Sequence, residues 1–398
     1  MTTGFVSAPD GDLKNFVFTP NVFLIEQSIG GQLFTYGANQ TGALGDNTTV
    51  NKSSPIQTIS TGVTWQQMAC SGFLTVGGTA GIKTDGTLWV WGVNTNGNIG
   101  DNTTVNKSSP VQTVTFASDW KQVSISRHLS AAIKKNGTLW TWGLNTNGEL
   151  GDNTAVSKSS PVQTVAFNTN WMQVACGYYH VSAIKSDGTL WSWGLNANGQ
   201  LGDNTTTDRS SPVQTTAFGS NWRQVSCGYR YTVATKTDGT LWSWGRNARG
   251  QLGDNTTISK SSPVQTFAYG TNWRKTIDCQ SNFSYSSGAI KTDGTLWIWG
   301  RNAYGELGDN TTVDKSSPIQ TVSGGTSWKM VAGGYKQFSA IKVDGTIWNW
   351  GNNAYGQLGD NTAVNKSSPV QMIVNGNNWR QTSCGWQHNI ALTNGNIV

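Results

Sequence analysis

The chain has 398 residues, of which 12% are charged, while glycine accounts for 48 and tryptophan for 20. Few charges and many aromatics exclude a disordered chain, which needs the opposite balance. No stretch approaches the ~20 apolar residues of a membrane-spanning helix, and the first residues lack the basic-then-apolar order of a secretory signal.

Residues 1–30 come first and match nothing downstream. They carry Phe5, Val6, Leu13, Phe16, Val17 and Phe18, more apolar side chains than a solvated tail needs. The segment is expected either to attach the protein to a larger assembly or to pack back on its own outer strands.

From residue 31 to 398 one pattern repeats. Leu-Trp-x-Trp-Gly begins at Leu88, Leu139, Leu190, Leu241 and Leu296, with softened copies at Leu33 and Ile347. The seven starts are 51 or 55 residues apart. Each copy runs on through Gly-Asp-Asn and Ser-Ser-Pro to a lone tryptophan: Trp65, Trp120, Trp171, Trp222, Trp273, Trp328 and Trp379. The alternation in Thr-Leu-Trp-x-Trp puts both indoles on one strand face. The Asp-Gly or Asn-Gly pair before it predicts a hairpin with both turn residues at positive φ. Pro after Ser-Ser is expected to open a short outer strand. Four strands per repeat and seven repeats predict an all-β, seven-bladed propeller. Residues 390–398 stop where an eighth Leu-Trp strand would begin, and 33–37 supply that strand. The two ends are therefore expected to share one blade and hide their edges. Repeated indoles are expected to pack between blades.

Cys70, Cys176, Cys227, Cys279 and Cys384 fall one to a blade and predict buried, reduced thiols and a reducing cytoplasm. No close Cys or His spacing predicts a metal site. Asp46, Asp101, Asp152, Asp203, Asp254, Asp309 and Asp360 form one ring, read as turn-bonding groups because Asp-x-Asp-x-Asp-Gly spacing is absent. The three histidines have no unique serine or carboxylate beside them, so no catalytic site and no cofactor are expected.

Gly177-Tyr178-Tyr179-His180 and Trp193-Gly194-Leu195-Asn196…Gly199-Gln200-Leu201-Gly202 resemble the Gly-x-x-His and Trp-Gly-x-Asn…Gly-Gln-Leu-Gly segments of the regulator of chromosome condensation family. That resemblance covers residues 31–398 and implies seven four-stranded blades closed by shared termini. It also implies guanine-nucleotide exchange through an inserted β-wedge. Here only two insertions of four residues occur, near Phe73–Gly77 and Ser281–Ser286, and His survives in register only at His180 and His388, with His128 displaced by one. The uniform Gly-Asp-Asn-Thr-Thr and Lys-Ser-Ser-Pro-Val-Gln-Thr segments look like repeats of virion proteins of tailed marine bacteriophages.

Where the copies diverge, the position is expected to be exposed. Divergence centres on Phe73, Arg127, His128, Tyr178, Tyr179, Tyr229, Arg230, Tyr285, Tyr335, Lys336 and Trp386. Aromatics and bases together near the channel predict either a recognition surface or a plug of its mouth. Net charge is +6, and Arg223, Arg230, Arg246, Arg249, Arg274, Lys275 and Arg301 cluster in sequence. They predict a basic sector, read either as solvated surface or as a binding site for an anionic glycan, phosphate or nucleic acid. The leading expectation is a non-enzymatic virion component, a tail-fibre, decoration or adhesion subunit. It would bind other virion or assembly proteins through the N-terminal segment and a host surface glycan or protein through the propeller; nucleic acid is not expected. The alternatives are a cytoplasmic interaction module or exchange factor, then a carbohydrate-active enzyme.

Overall fold

The computed structural model describes residues 30–59, 65–73, 76–165, 169–216, 219–268, 270–277, 285–322, 325–373 and 376–394. The N-terminal segment up to residue 29 lies outside these, as do Cys279 and most of the second insertion. Each blade is a four-stranded antiparallel sheet, and there are seven. Blade 3 shows the plan: an inner strand Trp171–Cys176, a second strand His180–Lys185, a third Leu190–Gly194 and an outer Arg209–Gln214. Blade 1 opens with Trp65–Phe73 and blades 2 to 6 follow in chain order. Blade 7 takes Trp379–Cys384 and His388–Thr393 from the C-terminal end, then Leu33–Gly37 and Lys52–Gln57 from the N-terminal end. Leu33 pairs with Leu392 and Gly37 with His388, so the ring closes as the sequence implies.

The two indoles of Trp-x-Trp divide the work. The second, as in Trp193, is fully buried and donates its Nε1–H to Glu149 O of the preceding blade at 3.0 Å. Trp91, Trp142, Trp244, Trp299 and Trp350 repeat that bond to Ala43, Asn98, Gln200, Gln251 and Glu306. Approach this close requires glycine in the accepting loop: a Cβ on Gly151 would lie 2.7 Å from the Trp193 nitrogen. The lone inner-strand Trp171 packs edge-on against Trp193, with centroids 6.1 Å apart. The lysine before each hairpin sits between the lone indole and the first Trp of the pair; Lys185 Nζ lies 4.9 Å from the Trp171 ring and 4.1 Å from Trp191. Five other blades repeat this cation–π sandwich.

Inner-strand glutamines tie the blades around the channel. Gln173 Nε2 donates to Val225 O and Gln173 Oε1 accepts Val225 N–H, each at 3.0 Å. Gln67, Gln122 and Gln381 do the same to their neighbours. Cys70, Cys176, Cys227 and Cys384 are buried thiols outside any disulfide, and burial pushes the Cys70 and Cys227 thiols up to about 12.

Two local expectations need correction. Only the glycine of each Asp-Gly pair has positive φ, as at Gly188 (76°), while Asp187 is not in the left-handed region. The turn is a right-handed one closed by Gly188 N–H to Lys185 O, and Asp187 instead accepts the Thr189 N–H and hydroxyl. Pro does not open the outer strand either. Pro212 lies inside Arg209–Gln214, in the irregular stretch between the Gly194–Arg209 and Ser192–Val213 pairs, where its missing N–H leaves no ladder bond unmade.

The indole lock gives a stability test. Trp193→Ala should cost about 3–5 kcal/mol, read as a lower urea midpoint, whereas Trp193→Phe should cost less because it keeps most of the buried area. Equal stability of Trp193→Ala and the native chain would remove the indoles from their role between blades.

Candidate functional site at the channel mouth

The inner strand ends in a tight turn to the second strand, closed in blade 3 by Gly177 N–H to His180 O at 2.8 Å. Gly228 to Tyr231, Gly334 to Gln337, Gly385 to His388 and Ser126 to Leu129 close the same turn in blades 4, 6, 7 and 2. The two tip residues are freed from the ladder and meet their counterparts from neighbouring blades. Those tips are the divergent pairs of the sequence.

The structure brings most of them together. His128 stacks on Tyr179 (5.0 Å, 13°) and meets Tyr178 edge-on at 5.2 Å. The chain continues from Tyr178 to Tyr229 (5.1 Å), Tyr229 to Tyr285 (5.0 Å) and Tyr285 to Tyr335 (6.4 Å). It ends with Tyr335 stacked on Trp386 (3.5 Å, 9°). Blades 2 to 7 thus contribute to one aromatic belt. His128 and Tyr178 are 8% exposed and Trp386 6%, so the expectation of open exposure fails at these three: they pack on neighbouring rings, and the other described tip residues are half-buried. In blade 1 the insertion lengthens the hairpin, pairing Phe73 with Val76; the Phe73 side chain lies outside those described.

Cations lie on this belt for a structural reason. The residue after the third-strand glycine hooks onto the tip backbone, Arg246 N–H to Arg230 O and Arg301 N–H to Tyr285 O. Each arginine is thereby delivered between its own blade's tyrosine and the next. Arg246 lies 5.2 Å from the Tyr229 ring and 5.5 Å from Tyr285. Arg301 lies 5.3 Å from Tyr335 and donates to its hydroxyl at 3.2 Å. Arg230, at φ 58°, covers Tyr229 at 5.2 Å. Lys336 donates to Tyr304 Oη at 2.9 Å, which lowers that phenol's pKa. Arg127, half-buried, shares its tip with His128.

The basic sector does not exist as one surface. Arg246, Arg301 and Arg230 join the aromatic mouth, and Arg249 is exposed and paired with Asp314 at 3.4 Å. Arg223, Arg274 and Lys275 lie at the other end of the inner strands, beside the Asp-Gly hairpins. A run in sequence crosses each blade end to end, so contiguity there does not mean contiguity in space. The sequence reading also passed over Tyr304 and Glu306. The signal was available: only blades 4 and 5 place Arg in Trp-Gly-x-Asn, and both carry tyrosine at the tip.

Comparison with known proteins decides the family. An RCC1-like domain model matches residues 22–287, and the regulator of chromosome condensation (RCC1) repeat matches 293–341 and 344–392. The chain belongs to the RCC1 family. It is 31% identical to the Arabidopsis thaliana ultraviolet-B receptor UVR8 over 316 residues, 77% of this chain and 71% of the receptor. It is 29% identical to the human E3 ubiquitin-protein ligase HERC2 over 325 residues, 78% of this chain but only 7% of the ligase. Yeast RCC1 (Prp20), solved with Kap60, superposes with a TM-score of 0.80 at 18% identity over 98% of this chain and 96% of that one. Human WBSCR16 gives 0.79 at 21% over 92% and 100%.

In this RCC1 propeller the Gly-x-x-His histidine is packing material. His180 is fully buried with Nε2 at 3.1 Å from Thr232 Oγ1 of the next blade, and burial lowers its pKa to about 3. Tyr231 and Gln337 fill the same position and bond to Ser286 O and Gly385 O of the following blades. His388 and His128 are lowered to about 4 and about 3, mainly by burial. The ring aspartates accept local bonds as expected: Asp46 Oδ1 takes Thr48 N–H at 3.0 Å and Asn39 Nδ2–H at 2.9 Å. No group of metal-ligating side chains occurs among the described residues.

Among the described residues Glu306 is the carboxyl raised furthest, with the equivalent Glu149 raised by burial as well. Burial raises Glu306 from 4.5 to about 7, outweighing Arg301 at 3.7 Å. A carboxyl raised in the folded state stabilises fully below pH 4.5 and loses that contribution as pH rises through 7. The buried histidines act with opposite sign below 6.5, so only a difference measurement isolates Glu306. Gln stands at the equivalent Gln200, Gln251 and Gln357. The melting temperature of Glu306→Gln should match the native chain at pH 4 and exceed it by pH 8; a pH-independent difference would contradict the raised carboxyl.

Proposed function

We propose that this protein is a non-catalytic protein-interaction module that captures its partner at the aromatic, cationic mouth of the channel. The observation that carries this reading is the tyrosine and tryptophan belt with Arg246, Arg301 and Lys336 set against it. Large aromatics and arginines dominate binding energy at interfaces. Family membership adds weight: yeast Prp20p, of related structure, binds Gsp1p and histones. UVR8, HERC2 and Prp20p are proteins of Arabidopsis thaliana, human and yeast. They favour the interaction module, which the sequence left as its alternative, over the virion component it put first. Attachment through residues 1–30 remains a separate proposal, resting on the apolar residues of that segment.

The test is affinity capture with quantitative mass spectrometry. A Tyr229→Ala, Tyr335→Ala, Trp386→Ala variant should lose its specific partner at least about tenfold, equivalent to 1.4 kcal/mol, while a rim variant, Val105→Ser with Val313→Ser, keeps it. If the mouth variant, still folded by its melting curve, captures the same partner equally, this reading is wrong. Accelerated nucleotide release from a small GTPase would identify the captured class.

A further inference from the structure

The opposite mouth carries a second pattern. Lys121, Arg223, Arg274, Lys329 and Arg380 share one repeat position, directly after the inner-strand tryptophan. In each blade the ladder slips at that residue, as between Trp222 and Gln224, so it bulges out of the sheet. The guanidiniums then run tangentially from blade to blade. Arg223 Nη2 donates to Arg274 O, Arg274 Nη2 to Trp328 O at 2.9 Å, and Arg380 Nη2 to Trp65 O at 2.6 Å. Lys275 lies one residue further along, where five other blades place glutamine.

Among the described residues no carboxylate lies within ion-pair distance of Lys121, Arg223, Arg274, Lys275 or Lys329. Arg223 is exposed and reaches the backbone of Arg274, and its partial desolvation and the nearby Arg274 charge both depress it, so like charges are held together without a counter-charge among the described residues. An arginine has five N–H donors, and Arg223 and Arg274 each spend one on a carbonyl, leaving the rest for a ligand.

We propose that this hairpin-side mouth binds a compact oligophosphate on the axis of the ring. Several cations from different blades around one axis call for several anionic oxygens on a small body, and the guanidinium fork matches phosphate. A single-stranded nucleic acid would need stacking platforms along a groove, whereas the tip tyrosines all lie at the other mouth. The site is separate from the proposed partner surface, and either stands without the other.

Calorimetry with sodium tripolyphosphate at low salt tests it, with sulfate and a single-stranded oligonucleotide of comparable charge as controls. The expected result is one site per chain for tripolyphosphate, weakened at least about tenfold (1.4 kcal/mol) by Arg223→Gln with Arg274→Gln. Tyr229→Ala with Tyr335→Ala should leave it unchanged. Because the two arginines also bridge blades, Lys121→Gln with Lys329→Gln serves as a second variant, expected to weaken binding several-fold without lowering the melting temperature. No heat at millimolar tripolyphosphate, equal affinity in both basic-site variants, or tighter binding of the oligonucleotide would each overturn the proposal.

Discussion

The ring depends on one contact, the indole of each blade against the loop backbone of the blade before it. A four-stranded blade has two apolar faces and cannot bury both alone. A buried indole N–H needs an acceptor, and the Gly-x-Leu-Gly loop supplies a carbonyl at close to 2.9 Å. Trp-x-Trp-Gly and Gly-x-Leu-Gly are thus the two halves of a lock that spans neighbouring blades, and the repeat unit in sequence is half of two interfaces. At the last seam Tyr36 replaces the tryptophan: it packs against Gly359 and receives a bond from Asn349 Nδ2 at 3.3 Å. The seam that joins the chain ends therefore uses a lock of the same shape with a different bond.

Seven such locks hold the ring whatever stands at the turn tips or at the inner-strand bulge. Those positions are free to vary, and they lie at opposite ends of the same strand. One end collects tyrosines, Trp386 and the arginines hooked to the tips; the other collects the bulged arginines and lysines.

Blade number, strand order and closure were legible in the sequence because period-two alternation and a fixed repeat encode them directly. The role of Lys185 and its equivalents was not. As charges they read as surface groups balanced by hairpin aspartates, yet each lies between two indoles. Their constant spacing from Trp171 and Trp191 was the available sign. At the mouth, divergence picked out Tyr178, Tyr229, Tyr335 and Trp386, but their mutual packing follows only when the ring is closed. Residues 51 apart then become neighbours. Basic residues misled for the complementary reason: Arg223 and Arg246 are close in sequence and lie at opposite ends of blade 4.

Most of the cations at the two mouths are held by neutral groups, with Arg301, 3.7 Å from Glu306, the exception. At one, Arg246 and Lys336 face tyrosine rings; at the other, Arg223 and Arg274 face carbonyl oxygens. Quadrupoles and peptide dipoles orient a charge without cancelling it, so the local field stays positive where an ion pair would have quenched it. The same contacts fix the rotamers of long side chains, which removes part of the entropy a ligand must otherwise overcome to order them. Several of the chain's cations are thereby held at the two ends of the inner strands, in groups that are already positioned. Tyr304 shows how this reaches beyond the arginines: the Lys336 ammonium that donates to its hydroxyl also rests on its ring at 4.1 Å, so one cation holds two aromatic side chains in place.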